Sequence, residues 1–151
     1  MPEVMRAKTV AVLLRETRIE VAPGTLALMG VSHQDWTRLL QEPELSPRPD
    51  SVFLVLRDTH EVTLLIEENG YQHLHRVVPE ARVETGFRLV TLDIALDWNV
   101  VGYLALVTQI LADEGISVGA VSAFSRDHLL IKQEDLGKAL LVLGRHTDGL
   151  C

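Results

Sequence analysis

Residues 96–131, LDWNVVGYLALVTQILADEGISVGAVSAFSRDHLLI, constrain the fold more than any other part of this chain. Val100, Val101, Leu104, Val107 and Leu111 recur at the spacing of one buried helix face. Asp97 or Asn99 can cap that helix, which is expected to run to about Glu114. Gly115 stands where a left-handed C-cap belongs. Ile116–Phe124 and Asp127–Ile131 then read as the two strands of a hairpin. On this reading Gly102 falls in the first turn of the helix. A residue without a side chain there opens the free N–H groups of the helix start to an anion. Asp127, just past the hairpin tip, offers a negative charge to a cation. A bound amino acid carries both groups.

The flanking segments extend the pattern. Phe87–Leu92 reads as a strand before the helix. Glu134–Leu143 reads as a second helix, with Leu136, Ala139, Leu140 and Leu143 on one face. Apolar residues after Leu140 supply material for a last strand. The order is β-α-β-β-α, the ferredoxin-like order in which helices cover one face of an antiparallel sheet.

The first half reads similarly. Thr9–Leu14 is a short β-rich run that Arg18–Val21 continues across a bend. Pro23-Gly24 marks a turn. Ser32 caps a helix to Gln41, with Trp36, Leu39 and Leu40 on one face. Glu42–Asp50 holds three prolines, Pro43, Pro47 and Pro49, and is a loop. Ser51–Leu56 and Glu61–Ile66 form a hairpin around Arg57-Asp58-Thr59-His60. Glu67–Pro79 is ambiguous, and the boundary between units is placed near 78–81. The expected architecture is α+β: two ferredoxin-like units, 1–78 and 79–151, with antiparallel sheets covered by helices on one face. A faint repeat supports it. LVLRDTHEVTLLIEE at 54–68 and SAFSRDHLLIKQE at 122–134 share strand, Arg-Asp, Leu-Leu-Ile and acid, an alignment that pairs Glu61 with Asp127 and needs a gap of two residues in the tip.

Composition narrows the function. The 151 residues are 47% hydrophobic and 23% charged, which suits one medium domain or two small ones and argues against disorder. A net charge of -7 with scattered basic residues argues against nucleic-acid binding, which needs clustered Lys and Arg. The lone cysteine, Cys151, rules out an internal disulfide and a paired-cysteine metal site. The N-terminus has only a short apolar core, and no run approaches the roughly 20 apolar residues that cross a bilayer. A cytoplasmic protein without a membrane partner is expected. His73 and His75 would share a strand face, yet no third metal ligand is fixed. Ser122, Asp127 and His128 lack a nucleophile elbow, and no phosphate-binding or dinucleotide glycine motif is present.

Segment 86–143 resembles the ACT domain, the small regulatory module that binds amino acids. The resemblance rests on GFRLVTLD at 86–93, the helix from Asn99 with Gly102, GISVGAVSAF at 115–124 and RDHLLIKQEDLGKAL at 126–140. It is similar to tandem ACT proteins, to the arginine sensors of the TOR growth pathway and to the regulatory domains of aspartate kinases. VFLVLRDTHEVTLLIEE at 52–68 looks like the equivalent hairpin of a first unit, where a Glu opens the second strand. The resemblance implies a ligand site made by Asn99, Val100, Val101 and Gly102 at the helix start, with Ser122 and Asp127 of the hairpin and Glu61 as the counterpart in the first unit. Val118 and Ala120 line the preceding strand. Two departures stand out. Relatives often carry a hydroxyl residue before the helix where this chain has Trp98-Asn99-Val100-Val101-Gly102. The hairpin tip has Ser125-Arg126 where Asp or Asn is usual, and Arg126 could attract an acidic side chain.

These readings converge on a sensor or regulatory protein that binds a free amino acid or related small metabolite. No cofactor and no catalytic step are expected, and the assembly is a compact monomer or a homodimer. Two other classes remain open: a structural module with an empty pocket, and a small enzyme using His60, Glu61 or Asp127.

Overall fold

The computed structural model describes residues 8–44 and 52–148. Ser51, Cys151 and most of the proline-containing loop expected over 42–50 lie outside the described residues. The described chain runs α1 (Val10–Glu16), β1 (Arg18–Val21), β2 (Leu26–Val31), α2 (His33–Gln41), β3 (Val52–Arg57), β4 (Val62–Glu67), α3 (Glu68–Val77), β5 (Arg82–Asp93), α4 (Tyr103–Asp113), β6 (Val118–Ser122), β7 (Asp127–Lys132) and α5 (Gln133–Gly144). Among the described residues, no helix is long and apolar enough to cross a membrane.

Two compact units emerge, and they are not the consecutive halves 1–78 and 79–151. One, the continuous unit, is residues 23–87. The other, the split unit, joins the chain up to Ala22 with everything from Arg88 onward. The cause is β1, which pairs antiparallel with the end of β5 from Arg18↔Asp93 to Val21↔Val90. Ile19 is fully buried there among Val90, Leu92, Leu129 and Ile131. The N-terminus thus supplies the fourth strand that the sequence reading sought after Leu140. Instead α5 continues to Gly144, and the chain turns at Arg145 and His146.

In the split unit the strand order is β1-β5-β7-β6, and the elements from β5 onward follow the ferredoxin-like order. Its core gathers Tyr103, Val107 and Leu111 of α4, Ala139 and Leu143 of α5 and Leu14 of α1 over those strands. Each fully buried Leu or Val side chain stabilises the unit by about 1.5–3 kcal/mol. In the continuous unit the order is β3-β4-β2-β5, with α2 and α3 on one face. Ala27, Met29 and Val31 of β2, Leu39 of α2, Val62, Leu64 and Ile66 of β4 and Leu74 of α3 form its core.

Three elements depart from the sequence reading. Residues 10–16 are helical, not extended. Thr9 caps them by accepting the Val12 N–H at 3.3 Å, and Leu14 is buried with Val10 and Leu13 packed beside it. Those three lie at helical spacing, but a run this short cannot be told from a strand by periodicity. Leu26–Val31 is a strand that the reading passed over. It is central, paired to β4 and β5, so its apolar residues do not alternate with polar ones. The ambiguous stretch after Glu67 is α3. His73 and His75 are therefore helical, about 200° apart around the axis, and share no face. No cluster of His, Cys, Asp or Glu able to hold a metal occurs among the described residues.

Other elements agree. Ser32 caps α2 by accepting the Asp35 N–H at 3.0 Å, and Leu39 is buried, although Leu40 is exposed. Gly115 has φ 71°, and Ile116 N–H reaches back to the Leu111 carbonyl at 3.0 Å, closing α4 in a left-handed cap.

Candidate functional site

The helix start that motivated the sequence reading is built differently from the expectation. Neither Asp97 nor Asn99 caps it. Asp97 closes a turn by accepting the Val100 N–H at 3.1 Å, and α4 begins only at Tyr103. Gly102 is the N-cap residue, not part of the first turn. Its φ of 90° is the left-handed region, which L side chains rarely adopt, so a helix could not include it. No side chain caps α4. The first N–H groups of a helix lack intrahelical acceptors. Here the residues that bear them, Tyr103, Leu104 and Ala105, line a cavity.

That cavity has a volume of about 350 Å³ and lies wholly within the split unit. The loop from β5 to α4 forms one wall with Leu96, Asp97, Trp98, Val100 and Gly102. The β6–β7 hairpin forms the other with Ser122, Ala123, Phe124, Ser125, Arg126 and Asp127. A hydrogen bond from Leu96 N–H to the Ser125 carbonyl, at 3.0 Å, stitches the two walls together.

Strand geometry explains why Asp127 and Ser122 arrive there. Successive side chains of a strand point to opposite faces. Asp127 shares parity with Leu129 and Ile131, which lie in the helix-covered core. Ser122 is paired directly opposite Asp127, so it takes the same face. Both therefore point toward α4, near its first turn. His128, one residue on, takes the other face and exchanges a hydrogen bond with Thr91 at 2.9 Å. Burial depresses the His128 pKa; the Asp127 carboxylate opposes that shift. A Ser122–His128–Asp127 relay is thus not what the fold arranges.

The cavity floor is held by Tyr103. Its buried hydroxyl lies 2.7 Å from that of Thr17, which also donates to the Leu13 carbonyl at 2.8 Å. Burial raises the Tyr103 pKa, the Thr17 hydrogen bond offsets part of the rise, and the nearby Asp127 carboxylate adds to it. The phenol is thus kept neutral beside an acid. Sequence reasoning missed Thr17 and Tyr103 because the contact joins residues far apart in the chain.

Of the residues named from the sequence, the cavity brings together Val100, Gly102, Ser122 and Asp127. Asn99 and Val101 are not among its lining, and Val101 is exposed instead of completing the apolar stripe of α4. Arg126 is committed. Its Nε donates to Asp93 at 2.7 Å and its Nη1 to Ser125 at 2.9 Å, and this pairing holds the Asp93 carboxyl below its usual pKa.

Glu61 belongs to the continuous unit, where it is ion-paired with Arg82. The pair spans Gly30, where an added Cβ would lie 3.1 Å from the Glu61 carboxylate. Nor is Glu61 the counterpart of Asp127. The hairpins run in step without a gap: Arg57↔Val62 matches Ser122↔Asp127, and the N–H of Asp58 to the carbonyl of Glu61 matches Ala123 to Arg126. Leu64, Leu65 and Ile66 then fall on Leu129, Leu130 and Ile131. Val62 is therefore the counterpart of Asp127, and Glu61 that of Arg126.

Residues 82–145 match the ACT domain family. Among solved structures, the chain is similar to a protein of unknown function from Vibrio cholerae, described as a possible transport protein, at 23% identity and TM-score 0.66, over 91% of this chain and 94% of that one. It is similar to a protein from Agrobacterium tumefaciens at 20% identity and TM-score 0.67, over 90% and 92%. The regulatory subunit of aspartate kinase from Thermus flavus matches at 11% identity and TM-score 0.70, over 87% and 98%. No curated protein matches in sequence. At these identities the structural likeness establishes the fold alone, a ferredoxin-like ACT fold, and the sequence match to the ACT domain family covers residues 82–145.

Proposed function

We propose that this protein binds a free amino acid, or a closely related small metabolite, in the cavity at the start of α4, and that it acts as a sensor or regulatory protein with no reaction of its own. One observation carries this reading: an uncapped helix start and an acid, Asp127, line the same cavity. The helix start receives the ligand's carboxylate through backbone N–H groups. Asp127 receives its ammonium through a charge-assisted contact. Ser122 and Val100 also line the cavity, and Asn99 and Val101 flank Val100 in the same loop. Both units are read as ACT modules, a tandem arrangement like that of the TOR-pathway arginine sensors, working in the cytoplasm as a monomer or homodimer.

A thermal-shift panel of the twenty amino acids tests it. A ligand present at 100 times its dissociation constant adds about 2.7 kcal/mol of stability, a visible rise in melting temperature. No shift with any amino acid at millimolar concentration would leave a structural module with an empty pocket as the better account.

A further inference from the structure

Two large aromatic side chains, Trp98 and Phe124, stand fully exposed on this protein, and both line the same cavity. They come from different walls: Trp98 from the loop before α4, Phe124 from the β6–β7 tip. A fully exposed tryptophan is uncommon, because it leaves its whole apolar area in water with no packing in return. Two exposed aromatics on the two walls of one cavity give it an apolar rim, beside a lining that mixes apolar residues such as Leu96, Val100 and Leu104 with Asp97 and Asp127. The walls are already fixed relative to each other by the Leu96–Ser125 backbone hydrogen bond. Ordering on binding therefore falls on the two side chains and not on the backbone of the walls that carry them.

The charges below the rim narrow what can enter. Asp127 and Asp97 line the cavity as acids. Arg126, the cation of the described lining, is engaged by Asp93 and Ser125. An acidic ligand side chain would meet repulsion without a free basic partner. An apolar or aromatic one would meet two uncovered rings.

We propose that Trp98 and Phe124 are the specificity-determining residues of this cavity, taking the side chain of a bound α-amino acid between them, and that the ligand class is amino acids with apolar or aromatic side chains. This rests on the reading of the cavity as an amino-acid site, so the test must separate the two. Calorimetric titration of the intact protein with L-alanine, L-leucine, L-phenylalanine, L-lysine and L-glutamate does so. L-alanine carries the same carboxylate and ammonium but reaches neither ring. L-leucine and L-phenylalanine should bind about tenfold more tightly than L-alanine. Trp98→Ala and Phe124→Ala should each erase most of that advantage while L-alanine affinity stays within about twofold. Trp98→Phe should restore most of it. Both side chains are exposed, so the variants should fold, and unchanged melting temperatures without ligand check this. Equal affinity for L-alanine and L-phenylalanine, an advantage surviving both alanine variants, or L-lysine or L-glutamate outranking L-leucine would each overturn the aromatic rim, with the cavity still an amino-acid site. Failure of every probe to bind the unaltered protein would overturn that underlying reading instead.

Discussion

The continuous and split units carry the same succession of strands and helices around their hairpins, yet the helices that precede those hairpins, α2 and α4, start differently. In the continuous unit, Ser32 caps α2 with its own hydroxyl, and His33 Nε2 lies 2.7 Å from the Asp58 carbonyl of the hairpin tip. Asp58 itself accepts from the N–H groups of Glu61 and His60, which hold its pKa low. The helix start there is satisfied from within. In the split unit the cap is Gly102, with no side chain to give, and the tip carries Ala123 where its counterpart has Asp58. At the position facing the helix, one unit has a fully buried Val62 and the other the half-buried Asp127. A shared fold thus yields either a self-capped helix start over a buried Val62 or an uncapped one beside Asp127, depending on a few side chains that cap, fill or charge one end of the sheet.

Exchanging the residues that differ should break this contrast. The largest effect is expected for Val62→Asp, which would bury an unpaired carboxylate in the core of the continuous unit. It should cost about 4 kcal/mol, read by urea unfolding, without creating a second binding event. Native-like stability in that variant would mean that the continuous unit can open as the split unit does.

Asp127→Asn should act on binding and leave folding nearly alone. Loss of the charge should weaken the ligand by about 1.5–3 kcal/mol in calorimetric titration, with little change in the ligand-free melting temperature. Undiminished affinity would remove Asp127 from the site.

The two helix starts should also respond differently. Ser32→Ala loses a side-chain cap and should cost about 1 kcal/mol of stability while amino-acid affinity is unchanged. Gly102→Ala finds open space for its Cβ but a φ of 90°, so its cost of about 1–2 kcal/mol arises from backbone strain, not from crowding. It should also reduce affinity, since the strain falls on the residue that opens the helix to the ligand.

A smaller effect distinguishes the outer face of the split unit. The folded pKa of His128 is depressed by burial below its ordinary 6.5, so the unfolded chain takes up its proton first as the pH falls. The stability that His128 contributes is therefore complete above about pH 6.5 and is lost as the pH drops from there through its folded value. Comparing melting temperatures of His128→Asn and the unaltered protein between pH 5 and 8 should show the two curves converging in slope above pH 7, with the steeper fall on acidification in the unaltered protein.

Much of the fold could be read from residues whose signals are local. The cap at Ser32, the left-handed Gly115 and the two hairpins each rest on spacing within one segment, and each stands in the structure, while of the stripe expected on α4 only Val107 and Leu111 are buried. The cavity was legible in part for the same reason: Gly102 and Asp127 were marked by a glycine at a helix start and an acid after a hairpin tip. Where the reading departed from the fold, the deciding contact was distant in sequence. Residues 10–16 became a helix because Leu14 packs into a core formed mostly by residues beyond 88. The last strand of the split unit is β1, because the edge beside β5 is filled by whichever apolar strand reaches it, and sequence order does not say which. Pairing Glu61 with Asp127 was off by one residue, and in a strand one residue exchanges the core face for the solvent face.

What the sequence determined alone was therefore the set of elements with strong local periodicity, the ferredoxin-like order of the segment around 86–143 and the two groups that mark the helix start as a candidate site. Tertiary structure decided which segment completes each sheet, that Arg126 is spent on Asp93 and Glu61 on Arg82, and that Trp98 and Phe124 stand over one cavity. The reason is physical. Capping, turns and amphipathic faces are settled by neighbours a few residues away, whereas strand pairing, ion pairing and the walls of a cavity are settled by whichever distant groups the packed core brings within reach.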